Sequence, residues 1–325
     1  MNKCFITKLQ GVVDNASLLK LGELRIGFSN NGNPSNIQSI GIGVTNPVSL
    51  EILGDGYFTD SKNSNLGKKM DFSYSANPIN MVGSNTLSIV EKYNLTTLSV
   101  SSAQTNVTDF CIDDLKASKE LVKFNMNSKF VTGDIASLGN LNKLNYLALR
   151  NSKFVTGDIS SLGNLIGLTN IDITGTSLSG NISIFSKFPK LAGIYMTNSS
   201  VTGNIDVLYN NSVLTEIFAA NTDITGDLAK LPESCIYISI SNKNGNSFTW
   251  SARSASSKIV AISSNPKITN IDKMLQDQAQ CVTGITDSSD ASQKAISVTG
   301  TRTSASDAAV QTLQSKGYTV TITPA

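Results

Sequence analysis

The sequence predicts an α/β repeat: a solenoid of stacked coils preceded by a small antiparallel β domain. Three observations predict it. A short phrase recurs as VTDFC at Val107, VTGDI at Val131 and Val155, LSGNI at Leu178, VTGNI at Val201 and ITGDL at Ile224, at intervals of 24, 24, 23, 23 and 23 residues. A second phrase, L-x-x-L-x-L, follows each of them. Residues 1–80 lack this repeat.

The second phrase comes first in the physical argument. Its members are Leu121, Phe124, Met126; Leu144, Leu147, Leu149; Leu168, Ile171, Ile173; Leu191, Ile194, Met196; and Leu214, Ile217, Ala219. Cys235, Ile238 and Ile240 continue it after a shortening of two residues, and Leu95, Leu98 and Val100 are a degenerate earlier member. The last positions of each set alternate, which is the period of a strand with one buried face. One such strand cannot bury that face alone; stacking successive coils makes a parallel sheet over a continuous core. The V-T-G-[DN]-I phrase is the return path, with a Gly for an unusual turn and an Ile or Leu pointing back inside. Between strand and return path sits a small polar residue, such as Thr176, Ser199 or Thr222. Its hydroxyl is expected to satisfy buried backbone groups of the neighbouring coil.

After Gly245 the pattern loosens. Residues 257–271 keep the strand-then-turn logic, residues 271–280 read as a helix, and VTGIT (282–286) and KAISVTGT (294–301) as strands. A helix follows, capped by Ser306 or Asp307 and ended by Gly317, and TVTIT (319–323) resumes period two. This helix and strand, from about residue 290, are expected to close the solenoid.

The N-terminal domain is expected over residues 1–80 and the solenoid over 81–325. CFITKL (4–9), ELRIGFS (23–29), QSIGIGV (38–44) and VSLEIL (48–53) read as strands, Asp55-Gly56 as a hairpin turn, and SKNSNLGKK (61–69) as a polar loop. Docking to another component and capping of the first coil both fit this domain.

Composition and motifs exclude much chemistry. Charged residues are only 15% of the chain, against about a quarter in average soluble proteins, and Asn, Ser, Thr and Gly replace them, as suits polar β ladders. The net charge is +2 without a basic stripe, so no nucleic-acid partner is expected. No stretch is apolar for long enough to span a membrane. The N-terminus lacks a continuous apolar region and a cleavage site, and reads as mature protein. With no histidine, the Ser-His-Asp and Cys-His arrangements and histidine zinc sites are unavailable. Gly41-Ile42-Gly43 lacks the third glycine of a dinucleotide fingerprint. Asp113-Asp114 and Asp287 with Asp290 sit in turns, and Asp134 and Asp158 occupy equivalent repeat positions, so local hydrogen bonding explains them better than catalysis. The four cysteines, Cys4, Cys111, Cys235 and Cys281, show no metal spacing and read as reduced structural thiols, with Cys111 aligned to Ile135 and Ile159 as a small core residue. No enzyme activity, cofactor or metal is expected.

The outward positions of the strands form two columns. Ser99, Asn125, Ala148, Asp172, Tyr195, Phe218 and Ser239 make the central one; Thr97, Lys123, Tyr146, Asn170, Gly193, Glu216 and Tyr237 make its neighbour. They gather Tyr146, Tyr195, Phe218 and Tyr237 with Arg150, Asp172 and Glu216, the anchor chemistry of protein or glycan binding. Ordinary strand propensity also accounts for aromatic residues there. Phe218 is the strongest candidate, because an outward central phenylalanine otherwise has little reason to be present.

The unit L-x-x-L-x-L-x-x-[NTS]-x-L-[ST]-G-[DN]-I resembles the leucine-rich repeat, particularly its variant with an LSGxI-type return segment. The resemblance covers roughly residues 86–325 and is strongest over 107–246, with Ser or Thr where the family often has Asn. It implies a curved solenoid with its parallel sheet on the concave face, and a binding function for that face. The opening KCFITKLQGVVDN, the segments LLKLGELRIGF and PVSLEILGDGYFTD, and the ending TRTSASDAAVQTLQSKGYTVTI resemble proteins of gut Bacteroidetes and their tailed phages. That resemblance implies a virion component of the tail or fibre, made in the host cytoplasm, docked to other virion proteins through residues 1–80 and binding a protein or surface glycan through the concave face. The alternative is a leucine-rich-repeat adhesion or host-interaction protein of the bacterial cell surface. Self-association is compatible with either.

Overall fold

The computed structural model describes residues 24–29, 37–44, 48–54, 57–59, 65–72, 79–82, 85–89, 92–100, 106–257, 259, 261–281 and 294–325. The expected strand at residues 4–9, Cys4, the Asp55-Gly56 turn, residues 61–64 of the polar loop, VTGIT and the Asp287/Asp290 pair lie outside the described residues. The chain divides into two compact units, residues 1–168 with 175–178, and residues 169–174 with 179–325.

In the first unit the strands are β1 (Leu24–Ser29), β2 (Ile37–Val44), β3 (Val48–Gly54), β4 (Tyr57–Thr59), β5 (Lys69–Phe72), β6 (Ile79–Val82), β7 (Asn85–Ile89), β8 (Leu95–Val100), β9 (Asn106–Cys111), β10 (Lys123–Met126), β11 (Val131–Asp134), β12 (Tyr146–Ala148) and β13 (Phe154–Thr156). β1 and β3 flank β7, β5 flanks β3, and β6 joins β2 to β4, all antiparallel. β8, β10 and β12 are parallel and place Leu98, Phe124 and Leu147 in one fully buried row. The return strands β9, β11 and β13 form a second parallel set.

The antiparallel strands do not stand apart from these coils. β2 pairs with β8 and β1 with β9, so each parallel set continues by hydrogen bonding into an antiparallel one. A first coil left bare would expose two rows of unpaired backbone groups, and these pairings satisfy both.

In the second unit the strands are β14 (Asn170–Asp172), β15 (Ser179–Asn181), β16 (Gly193–Tyr195), β17 (Ser200–Asn204), β18 (Glu216–Thr225), β19 (Tyr237–Asn242), β20 (Ala261–Ser263), β21 (Ala295–Thr299) and β22 (Thr319–Thr323). β14, β16, β18, β19, β20, β21 and β22 pair in that order, all parallel. The register aligns Ile171, Ile194, Ile217, Ile238, Ile262 and Ile296, each at most 1% exposed, into one core row. β15, β17 and the distal part of β18 form the return sheet. The fold is a leucine-rich-repeat solenoid.

Each return strand except β9 leads into a short 3-10 turn capped by the side chain of the residue before it, whereas Cys111 after β9 makes no such bond. Asp134 accepts from the Ala136 amide and Asp158 from that of Ser160; Asn181, Asn204 and Asp227 repeat the bond in the second unit. The repeated carboxylates are therefore caps. Asp113 instead reaches the next coil, accepting from the Asp134 amide at 2.9 Å and the Ser137 hydroxyl at 2.7 Å. The turns that leave the main strands are left-handed at Asn198 and Asn221, and the Asn221 side-chain NH2 donates to the Asn198 side-chain oxygen at 2.8 Å. Asn tolerates that backbone region better than other residues with a side chain.

Several expectations need correction. Cys111 is disulfide-bonded, not a reduced thiol. Nor does it align with Ile135: it precedes the turn Ile112–Leu115, in the place of Asp134, and Ile112 takes the core position. The cause is a bulge, since Gly27 pairs with Asp109 and Phe28 with Val107, leaving Thr108 as an extra residue. Cys235 and Cys281 are free and buried, and burial pushes the Cys235 thiol up to about 12. The small polar residues do not share one role. Ser152 donates to the Ser128 carbonyl of the preceding coil at 3.0 Å, Thr222 bonds within its own coil to Ala219, and the Ser199 hydroxyl has no partner among the described residues.

The C-terminal segment contains α1 (Ile271–Gln280) and α2 (Asp307–Ser315), the latter ended by Gly317 at φ +85°. Neither Ser306 nor Asp307 caps α2. Thr303 caps the preceding 3-10 turn by accepting from the Ala305 amide, while Ser306 donates to Asp272 of α1 at 2.5 Å. Nothing in the repeat pattern points to the seat of Arg253. This side chain is 8% exposed and donates to the carbonyls of Leu228, Ala229, Leu231 and Pro232 and to Ser257. Its backbone amide and the Trp250 indole N–H both donate to Asp277, which also pairs with Lys273. A shortened coil leaves carbonyls without a sheet partner, and a guanidinium satisfies several at once.

Candidate functional site: the outward face of the parallel sheet

The strand register fixes what shares a column. In the second unit one outward row runs Asp172, Tyr195, Phe218, Ser239, Ser263; its neighbour runs Asn170, Gly193, Glu216, Tyr237, Ala261. Within the first unit, Thr97, Lys123 and Tyr146 share a row, as do Ser99, Asn125 and Ala148.

Of the candidate residues, Tyr195 touches both Phe218 and Glu216. The rings of Tyr195 and Phe218 stack with centroids 5.2 Å apart and planes 23° apart. The Tyr195 hydroxyl donates to Glu216 Oε2. All three are half-buried, so Phe218 is not a bare phenylalanine: its ring lies against Tyr195. Tyr237 is paired with Glu216 in the register and Asp172 with Tyr195. Asp172 accepts from the Thr174 amide at 3.0 Å, which fixes its carboxylate beside the strand end.

Gly193 explains the pose of Tyr195. A methyl there would stand 2.8 Å from Tyr195 Cε2, 3.2 Å from its hydroxyl and 2.6 Å from the Asn170 amide nitrogen. The ring therefore leans back along its own strand and reaches the carboxylate on the next. A lone glycine among Asn170, Glu216 and Tyr237 was the available signal, because glycine inside a strand often marks close approach of another group.

Tyr146 and Arg150 belong to the first unit. The Lys123 ammonium sits 5.1 Å from the centre of the Tyr146 ring, within the range of a cation–π contact. Arg150 is exposed at the turn after β12, next to Asn151, whose backbone is left-handed. Ala148 is only 4% exposed, too small to project from its outward position.

This arrangement can bind through flat apolar rings, a fixed carboxylate and hydroxyls. Among the described residues no group of three or more Cys, Asp and Glu side chains is placed to hold a metal ion. Among the described residues no helix is long and apolar enough to cross a membrane.

No protein-family model matches the chain, and no curated protein matches it. Solved structures similar to it include a PEPR1–AtPEP1 complex, at 24% identity over 48% of this chain and 23% of that one, with a TM-score of 0.40. An internalin (inlF) of Listeria monocytogenes is 20% identical over 59% of this chain and 60% of its own, with a TM-score of 0.40. A leucine-rich-repeat protein of Leptospira interrogans is 14% identical over 52% and 38%, with a TM-score of 0.36. This chain spans less than two thirds of each. The repeat itself is established by the strand register and not by these likenesses.

Proposed function

We propose that the chain is a non-enzymatic binding protein whose parallel sheet presents Tyr195, Phe218 and Glu216 to a partner protein or glycan. One observation carries the reading: the stacked pair and the carboxylate it holds are assembled in advance on a rigid sheet face. Preorganised aromatic groups on a scaffold lose little entropy on binding. Asp113, Asp134 and Asp158, three of the carboxylates weighed for catalysis, accept from backbone amides, which supports a binding role over a hydrolytic one for these three.

The finer reading is a virion protein of a tailed phage, in the tail or fibre, with the N-terminal strands contributing to docking on the particle. Its support is the sequence resemblance of both ends of the chain. The alternative, an adhesion protein of the bacterial surface, draws support from the disulfide at Cys111, since such bonds persist in oxidising surroundings. A mass-spectrometric census of purified particles separates the two: the virion reading requires the chain at fixed stoichiometry, and its absence from particles ends that reading. For the face itself, Phe218→Ala combined with Tyr195→Ala should leave the fold intact and weaken partner binding. Unchanged affinity would remove the proposal.

A further inference from the structure

We infer that the partner group seated on this face is a cation, an arginine or lysine side chain of an extended peptide, lying on the Tyr195–Phe218 rings with its charge against Glu216. The inference rests on the sheet face being the binding surface and adds the chemistry of what it takes.

The charge pattern argues for it. In the second unit, the outward rows from Asn170 to Ala261 and from Asp172 to Ser263 hold two charged residues, Asp172 and Glu216, and neither row contains Lys or Arg. Asp172 pairs with Tyr195, and Glu216 pairs with Gly193 two residues before Phe218 on the same strand. Aromatic faces carry negative potential and attract cations, so rings and carboxylates favour the same sign of ligand. The Tyr195 hydroxyl occupies one acceptor position of Glu216 and orients the group. A carboxylate has two oxygens and about four acceptor positions, which leaves capacity for a guanidinium or ammonium donor. An anionic ligand would meet two like charges here, and a neutral sugar can donate hydroxyl hydrogen bonds to them but gains no attraction between charges.

The test uses the full chain and three acetylated peptides of equal length that alternate serine with arginine, glutamine or glutamate. Affinities are measured by calorimetry at low and physiological salt, with circular dichroism confirming that each variant folds. The arginine peptide should bind about tenfold more tightly than the glutamine peptide, and the glutamate peptide least. Glu216→Gln preserves an acceptor for the Tyr195 hydroxyl and removes the charge, and should abolish most of that preference. Glu233→Gln, an equal loss of charge on an exposed loop, should leave it. Equal binding of arginine and glutamine peptides, or a preference that survives Glu216→Gln, overturns the inference. If those peptides bind equally and Phe218→Ala abolishes both, only the cation assignment falls and the face stands. If Phe218→Ala changes nothing, the face falls and the inference with it.

Discussion

The Tyr195 ring lies over Gly193 of its own strand, so close that a methyl on Gly193 would stand 2.8 Å from Cε2. Both obstructing groups, this ring and the Asn170 amide, are far ends of side chains. Gly193→Ala should therefore fold, but with the ring expelled and its stack on Phe218 lost. A contact of that kind contributes about 0.5–1.5 kcal/mol. Aromatic proton shifts of Tyr195 and Phe218 report the change directly; identical shifts in the variant would refute the seat.

Ile217 lies between Ile194 and Ile238 in the buried row and is fully excluded from solvent. Ile217→Ala should cost about 2–5 kcal/mol and Ile217→Val about 0.5–1.5 kcal/mol, because coils above and below hold the cavity open. Urea unfolding measures both. Similar losses for the two variants would show that the row relaxes around the gap.

Gly226 has φ +122°, and a methyl on it would stand 2.2 Å from Asn204 Oδ1 and 2.7 Å from Asp206 Oδ1. Neither atom is free to move away. Asn204 caps its turn, and Asp206 binds both the Asp227 amide and Lys230. Gly226→Ala should cost roughly 1–3 kcal/mol from backbone strain alone, with further loss from the disturbed cap. Wild-type stability for this variant would contradict the turn geometry.

Cys235 is fully buried, with its thiol pushed up to about 12 by that burial, and Cys281 is buried and raised for the same reason. The thiolate is the reactive form. At neutral pH neither residue should take up iodoacetamide until denaturant is added, and Cys111 should require reduction first. Peptide mapping of the labelled chain gives the answer, and rapid labelling of native Cys235 would be inconsistent with its place in the core.

Burial pushes the Asp272 carboxyl up, but hydrogen bonds from Ser306 and Thr303 and the charge of Arg302 outweigh it and hold the group below the usual carboxylate value. A carboxyl lowered in the folded state stabilises fully above its unfolded pKa, and that contribution is lost as pH falls through the folded pKa. Acid should thus loosen the contact between α1 and the turn at Thr303. Hydrogen exchange at the Thr303 amide should accelerate on acidification relative to the intrinsic rate, and Asp272→Asn should remove that excess.

Much of the architecture was legible because solenoids write their packing as a period. The rows Ile171–Ile194–Ile217 and Asp172–Tyr195–Phe218 follow from intervals of 23 residues, and the register reproduces both. What escaped was whatever breaks the period. The extra residue at Thr108 shifted Cys111 by one place, and its cause is a strand pairing some 80 positions earlier in the chain. Arg253 answers a need created by a shortened coil, visible only when the orphaned carbonyls are in place. For the candidate site, the columns could be counted, but the lean of Tyr195 towards Glu216 depends on a missing Cβ and a rotamer, which no count reveals.

The segments KFVTGDIASLGNL and KFVTGDISSLGNL, one coil apart, differ at a single position, Ala136 against Ser160. Because each coil offers its successor the same ladder it received, a copied stretch of this length brings its own supporting floor and ceiling. Unequal crossing-over between two such stretches in the gene would add or delete a whole strand of the display surface while leaving every retained neighbour satisfied. The solenoid can thus change its length in quantised steps, without having to invent a new core each time.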